Sequence, residues 1–138
     1  PILFVNTASE CEYTPQYQAL ERIWEDYKQS GLIMIAMPCD DFGHQEPGTE
    51  EEIAEFCDTN YNISFLMTGK YNIMGGSAHP MFHAIREEFG DDATPRWNFY
   101  KYLFDRNGQL VDFWPSKVAP DDPLITHQIE CNLQSWVL

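Results

Sequence analysis

Cys11 is the residue of this chain best placed to do chemistry. It stands in Thr7-Ala8-Ser9-Glu10-Cys11-Glu12-Tyr13-Thr14-Pro15, between the apolar run Ile2-Leu3-Phe4-Val5 and a helix start. Thr14 reads as the N-cap and Pro15 as the first helical position, so the helix should open close to the thiol. The partial positive charge at a helix N-terminus favours a thiolate, and the thiolate is the nucleophile. The residue is equally compatible with an inert buried cysteine acting as a small hydrophobe, so nucleophilicity needs partners elsewhere in the chain. Cys39, Cys57 and Cys131 are scattered without a Cys-x-x-Cys pair, which argues against a zinc ribbon and against the usual dithiol motif. This cysteine usage suits a reducing, cytoplasmic setting better than a stapled secreted scaffold. His79 and His83 are four apart, a spacing that can bind zinc or copper, but no third ligand accompanies them. No metal and no cofactor are expected.

The elements that must position Cys11 follow from periodicity. Residues 2–7 read as a buried strand. A helix is expected over 14–29, where Tyr17, Leu20, Ile23, Trp24 and Tyr27 recur at helical spacing and Gly31 stops the run. Leu32 to Met37 reads as a second buried strand parallel to the first, and Pro38 to Gly48 as a turn-rich loop at its far end, where open α/β sheets tend to hold their chemistry. Thr49 and Glu52 form a capping-box pattern opening a second helix that carries Ile53, Phe56 and Cys57. Residues 60–78 read as irregular, and His79-Pro80 as the entry of a helix ending at Phe89. Gly90 to Pro95 is expected to be an exposed connection. Two alternating runs around Asp105-Arg106-Asn107-Gly108 read as a β-hairpin, and Pro120-Asp121-Asp122-Pro123 leads into a terminal helix ending near Trp136. A β-α-β half followed by a β-β-α half is the thioredoxin-like plan, an α/β fold with a central mixed sheet flanked by helices. On it, Cys11 lies at the carboxyl end of a central strand.

Size and charge narrow the function. The 138 residues suit a single domain spanning 1–138, and 43% hydrophobic content is enough for an ordinary core. A formal charge of −14 argues against nucleic-acid backbones and anionic membranes as partners, since it offers no phosphate neutralisation and no polybasic anchor. No apolar stretch has the length of a membrane span. The chain begins inside a strand, so an upstream segment is expected, and with it the place for any targeting signal.

Four spaced motifs now converge: Asn6-Thr7-Ala8-Ser9-Glu10-Cys11 with Thr14-Pro15-Gln16-Tyr17; Phe42-Gly43-His44-Gln45-Glu46-Pro47-Gly48; Arg96-Trp97-Asn98-Phe99; and Asp105-Arg106-Asn107-Gly108. Together they resemble the glutathione peroxidases over nearly the whole chain, lacking the amino-terminal hairpin and first strand that members usually carry before residue 1. The resemblance implies a peroxidase that reduces hydrogen peroxide and organic hydroperoxides as part of the response to oxidative stress. Cys11 stands at the position of the peroxidatic cysteine or selenocysteine, Gln45 at the active-site glutamine, and Trp97 and Asn98 at the Trp-Asn pair. Amide and indole N–H groups suit that task, because they can stabilise a thiolate and a departing oxyanion without being nucleophiles themselves.

Cys57 matches the resolving cysteine of the family's thioredoxin-dependent branch, which would trap a sulfenic acid on Cys11 as a disulfide. If Cys57 starts on a helix, that helix should unwind for the two thiols to meet. Cys39 matches a cysteine beside the active-site loop and is a candidate alternate resolver, whereas Cys131 is expected to pack in the core. The resemblance further implies recycling by thioredoxin or glutathione. A short connection between Phe89 and Trp97, without the insertion of tetrameric members, implies a monomer. Two departures stand out. Asp40-Asp41 replaces the usual Asn-Gln, which would oppose a thiolate if the carboxylates face the site and merely add surface charge if they face solvent; Ser64-Phe65-Leu66-Met67 stands where a Phe-Pro is expected. A redox sensor or relay that passes a disulfide to a partner needs the same residues, and a silent binding module would have no use for all four motifs.

Overall fold

A computed structural model describes residues 1–133. The elements run β1 (Ile2–Thr7), α1 (Gln16–Tyr27), β2 (Ile33–Pro38), α2 (Glu50–Tyr61), β3 (Leu66–Met67), α3 (Pro80–Phe89), β4 (Lys101–Phe104), β5 (Leu110–Trp114) and α4 (Pro123–Leu133). The five strands form one mixed sheet in the order β3-β2-β1-β4-β5. β1 pairs parallel with β2 and antiparallel with β4, so it is the central strand, and the arrangement is the expected thioredoxin-like one.

Strand alternation divides the core between the two faces of this sheet. Leu3, Val5, Met34, Ala36 and Leu103 pack with Tyr17, Leu20 and Ile23 of α1, Ile53 and Cys57 of α2, and Ile125 and Ile129 of α4. Phe4, Met37 and Tyr102 face the other way, onto Phe82 and Ile85 of α3. Because β1 is buried on both faces, its sequence is a continuous apolar run rather than an alternating one. No helix among the described residues is long and apolar enough to cross a membrane.

Several expected boundaries move. The helix expected over 14–29 is a regular helix only from Gln16 to Tyr27, followed by a short 3-10 turn at Lys28–Ser30. Thr14 does not cap it: the N-cap position falls on Pro15, which has no side-chain acceptor, and the Thr14 hydroxyl is used in the preceding turn. Residues 60–78 are not wholly irregular, since α2 runs to Tyr61 and β3 adds a two-residue edge strand. The connection expected to be exposed at 90–95 is half interior. Asp91–Ala93 forms a 3-10 turn, Ala93, Thr94 and Pro95 are buried, and the Tyr102 hydroxyl donates to the Ala93 carbonyl at 2.7 Å. In the hairpin only Gly108 has positive φ (+81°), so an Asp105-led turn with a left-handed glycine closes it instead of an Asn-Gly pair. The expected end of the terminal helix near Trp136 lies outside the described residues.

The capping box at α2 is present as read. Glu52 N–H donates to Thr49 Oγ1 at 3.2 Å and Thr49 N–H donates to Glu52 Oε1 at 3.0 Å. Thr49→Ala is expected to destabilise the protein by about 1 kcal/mol, measured as a lower urea midpoint with an unchanged denaturant slope.

Candidate active site

β1 ends by delivering the chain into the tight turn that carries Cys11. Thr14 organises this turn: its hydroxyl accepts from Cys11 N–H at 2.9 Å and donates to the Ala8 carbonyl at 2.8 Å, while its own N–H donates to the Cys11 carbonyl at 3.0 Å. Cys11 is 7% exposed, and its sulfur accepts from Tyr13 N–H at 3.4 Å. The dipole that reaches the sulfur therefore comes from the turn itself, one step before the regular helix.

The second segment is the loop after β2. Gly43 and His44 both have positive φ, +69° and +51°. At Gly43 a side chain is excluded twice over, because a Cβ there would also lie 2.7 Å from Cη2 of Trp97. The Trp97 ring packs edge-on against Phe42 with centroids 6.3 Å apart. Gln45 is joined to the Cys11 turn through its backbone carbonyl, which accepts from Glu10 N–H at 2.9 Å. Asp40 and Asp41 prove to be loop builders. Asp40 accepts from Glu46 N–H at 3.0 Å and pairs with the His44 ring, and one Asp41 oxygen accepts from both Ile73 and Met74 N–H, at 2.6 and 2.9 Å. Their charge is engaged by backbone donors, an outcome that composition alone does not reveal.

The third segment, 97–100, is clamped to β1 by Asn6. The Asn6 side chain donates to the Trp97 carbonyl at 2.8 Å and accepts from Tyr100 N–H at 3.0 Å, and its backbone carbonyl accepts from Phe99 N–H at 2.6 Å. Phe99 is held at φ +64°. Asn98, fully buried, donates through Nδ2 to Gln45 Oε1 at 3.0 Å and to the Phe42 carbonyl at 3.3 Å. Its N–H groups are thus spent on the loop. Through the first of these bonds Asn98 fixes the orientation of the Gln45 amide.

Cys57 lies on α2, 1% exposed, in the same core cluster as Cys11, and burial pushes its thiol up to about 11. Cys39 is fully buried, its sulfur accepts from Asp41 N–H at 3.4 Å, and burial pushes it up to about 12. Cys131 does not pack in the core: it is exposed on α4, 3.6 Å from His127 Nε2. His79 caps α3, its Nδ1 accepting from Met81 N–H at 3.1 Å. No group of three or more metal-ligating side chains occurs among the described residues.

Sequence reasoning read Thr14 as a helix cap only and gave no separate role to Asn6, Glu46, Lys101 or Ser116. The signal for Asn6 is visible afterwards: a polar residue ending an otherwise apolar central strand needs a buried partner. Glu46 is 1% exposed, and burial raises its carboxyl from 4.5 to about 6, with Ser9 and Lys70 opposing that rise. Ser9 lies against this carboxyl, yet neither Ser9 Oγ nor Glu46 Oε2 has a partner of hydrogen-bonding geometry.

Two outcomes follow from this geometry. Gly43→Ala should displace the Trp97 ring and destabilise the protein by about 1–3 kcal/mol, read as a lower urea midpoint. Because the folded Glu46 value of about 6 lies above its unfolded value of 4.5, the stability this group contributes is present below the lower value and lost as pH rises through the upper one. Glu46→Gln should therefore raise stability at neutral pH by up to about 2 kcal/mol and lose that advantage under acid conditions, as urea melts at the two pH values would show.

The family profile for glutathione peroxidase matches residues 1–86. A glutathione peroxidase-like peroxiredoxin of Schizosaccharomyces pombe is 40% identical over 87% of this chain and 77% of its own. A hydroperoxy fatty acid reductase of Synechocystis is 38% identical over 88% of this chain and 76% of its own. The crystal structure of Trgpx in apo form superposes with a TM-score of 0.75 at 28% identity, covering 97% of this chain and 80% of that one. A putative thioredoxin from Neisseria meningitidis, at 12% identity and a TM-score of 0.66, shares the fold alone. With family profile, relatives and fold in agreement, the chain belongs to the glutathione peroxidase family and is a peroxidase.

Proposed function

We propose that Cys11 is the peroxidatic thiol, that Gln45 and Trp97 stabilise the oxygens of the peroxide, that Asn98 orients Gln45, and that Cys57 resolves the oxidised form. The observation that carries this reading is the bonding of three distant segments: Glu10 N–H to the Gln45 carbonyl, and Asn98 Nδ2 to Gln45 Oε1. The Cys11 thiolate attacks one oxygen of the peroxide, the O–O bond breaks, and the other oxygen leaves as water or alcohol after taking a proton. Cys11 becomes a sulfenic acid. The Cys57 thiol gives up its proton and its thiolate attacks that sulfur; the S–S bond forms as the S–O bond breaks, and the departing hydroxide takes up a proton and leaves as water. A thioredoxin-type dithiol returns both cysteines to thiols by exchange, the reductant class suggested by the peroxiredoxin name of the Schizosaccharomyces relative.

An open groove of about 360 Å³ lined by Glu12, Tyr13, Trp97, Tyr100, Pro115, Ser116 and Lys117 has room beside Trp97 for organic hydroperoxides as well as hydrogen peroxide. The requirement for a reductant and the four free cysteines suit a reducing compartment such as the cytoplasm, with the chain acting as one domain and as a monomer.

Resolution requires α2 to open. The α2 helix is held by only two fully buried side chains, Ile53 and Cys57, over its twelve residues, and it closes at Asn62, whose φ is +53°. Few buried anchors mean a small free energy of local opening. Opening also returns the Cys57 thiol to water, which removes the burial that pushes it up to about 11.

Peroxide consumption with a thioredoxin system and with glutathione, run in parallel for the wild type and Cys57→Ser, tests this. Cys57→Ser is expected to form the sulfenic acid at the wild-type rate and to lose multiple turnover with thioredoxin. Equal turnover with glutathione in both proteins would instead make Cys57 structural and the enzyme a one-cysteine peroxidase.

A further inference from the structure

Lys101 is the least expected residue of the interior. It sits on β4 opposite Val5 of β1 and Trp114 of β5, and it is 0% exposed. Its ammonium meets no carboxylate in any ion pair among the described residues. A cation buried without a counter-charge is costly, and a methionine or leucine would fill the same space at lower cost. Burial accordingly lowers its amine to about 7. Both of its bonds go to backbone carbonyls of one turn, Ser116 at 3.0 Å and Val118.

That turn has little else to define it. Its internal backbone bond runs from Val118 N–H to the Pro115 carbonyl at 3.1 Å. Its outward bonds, however, lead to the site. Ser116 is 6% exposed, and its hydroxyl donates to the backbone carbonyl of Asn98. The Ser116 carbonyl, already held by Lys101, also accepts from Nε2 of Gln16 at 2.8 Å, at the start of the helix that follows Cys11. Asn98 in turn donates to Gln45 Oε1. A continuous path of hydrogen bonds therefore runs from the Lys101 ammonium through Ser116 to Asn98 and Gln45.

We propose that Lys101 and Ser116 are positioning residues of the peroxide site: Lys101 fixes the 115–118 turn, and Ser116 transmits that placement to Asn98 and hence to the amide of Gln45. The inference rests on the reading of Cys11 as the peroxidatic thiol. It assigns the cost of the buried ammonium to the geometry of the peroxide-oxygen donors, with no contact between Lys101 and substrate.

The test compares two reactions of Cys11 in a Cys57→Ser background: oxidation by hydrogen peroxide, which needs the oxygen-stabilising donors, and alkylation by iodoacetamide, which does not. Lys101→Met and Ser116→Ala are each expected to slow the peroxide reaction about tenfold or more, the scale of a displaced donor. The alkylation rate should be unchanged. The melting temperature of Lys101→Met should be equal or higher, because a buried charge has been removed. The double variant should lose little more than the slower single one, since the two residues act in series. Wild-type peroxide rates in both variants would overturn the inference while leaving the peroxidase reading intact. Parallel changes in oxidation and alkylation would overturn it as well, by reducing Lys101 to general packing. If Lys101→Met does not fold, Ser116→Ala decides alone. A wild-type Cys11 that peroxide does not oxidise would overturn the peroxidatic reading itself, and this inference with it.

Discussion

Everything at the candidate site depends on how Asn6 ends the central strand. Its backbone carbonyl and both ends of its side-chain amide are engaged by one short segment, the residues 97–100. Such a clamp is needed because Phe99 is held at φ +64°, a conformation that costs a bulky side chain on the order of 1–3 kcal/mol and persists only where surrounding bonds over-determine it. The return is geometric. Phe99 turns inward to meet Tyr17 with ring centroids 5.3 Å apart, which leaves Trp97 and Asn98 beside the Gln45 loop. The same strand ends at Thr7, and the turn that follows it carries Cys11. A single polar residue at the end of an apolar strand thus sets two of the three segments of the site relative to one another.

The surrounding interior is more polar than stability alone would favour. Among the described residues Lys101 and Glu46 are buried ionisable groups without ion pairs, and the side-chain Oδ1 of Asn98 has no partner. Thr7 Oγ1, Ser9 Oγ, Tyr17 Oη and Glu46 Oε2 also lack partners, and they gather between the end of β1 and Cys57. The Tyr17 hydroxyl faces Thr7 and the Cys57 thiol, and burial, reinforced by that thiol, raises it well above the ordinary tyrosine value. Each unsatisfied buried group costs about 1–3 kcal/mol.

Charge follows a similar economy. The chain carries −14 overall, yet two carboxylates of the loop that carries Gln45 are engaged as local acceptors, Asp40 by Glu46 N–H and Asp41 by Ile73 and Met74 N–H. Lys70 closes the same region from the other side, its ammonium donating to the carbonyls of Glu46 and Gly48 at 3.1 and 2.8 Å. The charges of Asp40 and Asp41 are therefore spent on holding the loop's own backbone.

Much of this was legible in the residues themselves. Periodicity and turn chemistry located β1, β2, the Thr49 capping box, the His79-Pro80 helix entry and the hairpin, since these depend on interactions between residues close in sequence. The spaced motifs singled out Cys11, Gln45, Trp97 and Asn98 as candidates, and the fold bonds the segments that carry them to one another. What only tertiary structure decided was the use of each polar group, because that depends on partners brought together from far along the chain. Thr14 reads as a helix cap yet ties the Cys11 turn; Asn98 reads as a donor to substrate yet spends its N–H groups on Gln45 and Phe42; Ala93, Thr94 and Pro95 read as exposed yet lie under Tyr102 or within the core. Local sequence sets which hydrogen-bonding groups exist and what backbone they favour. Which of them remain free to meet a substrate is settled only when the sheet brings residues 6, 45, 98 and 116 together.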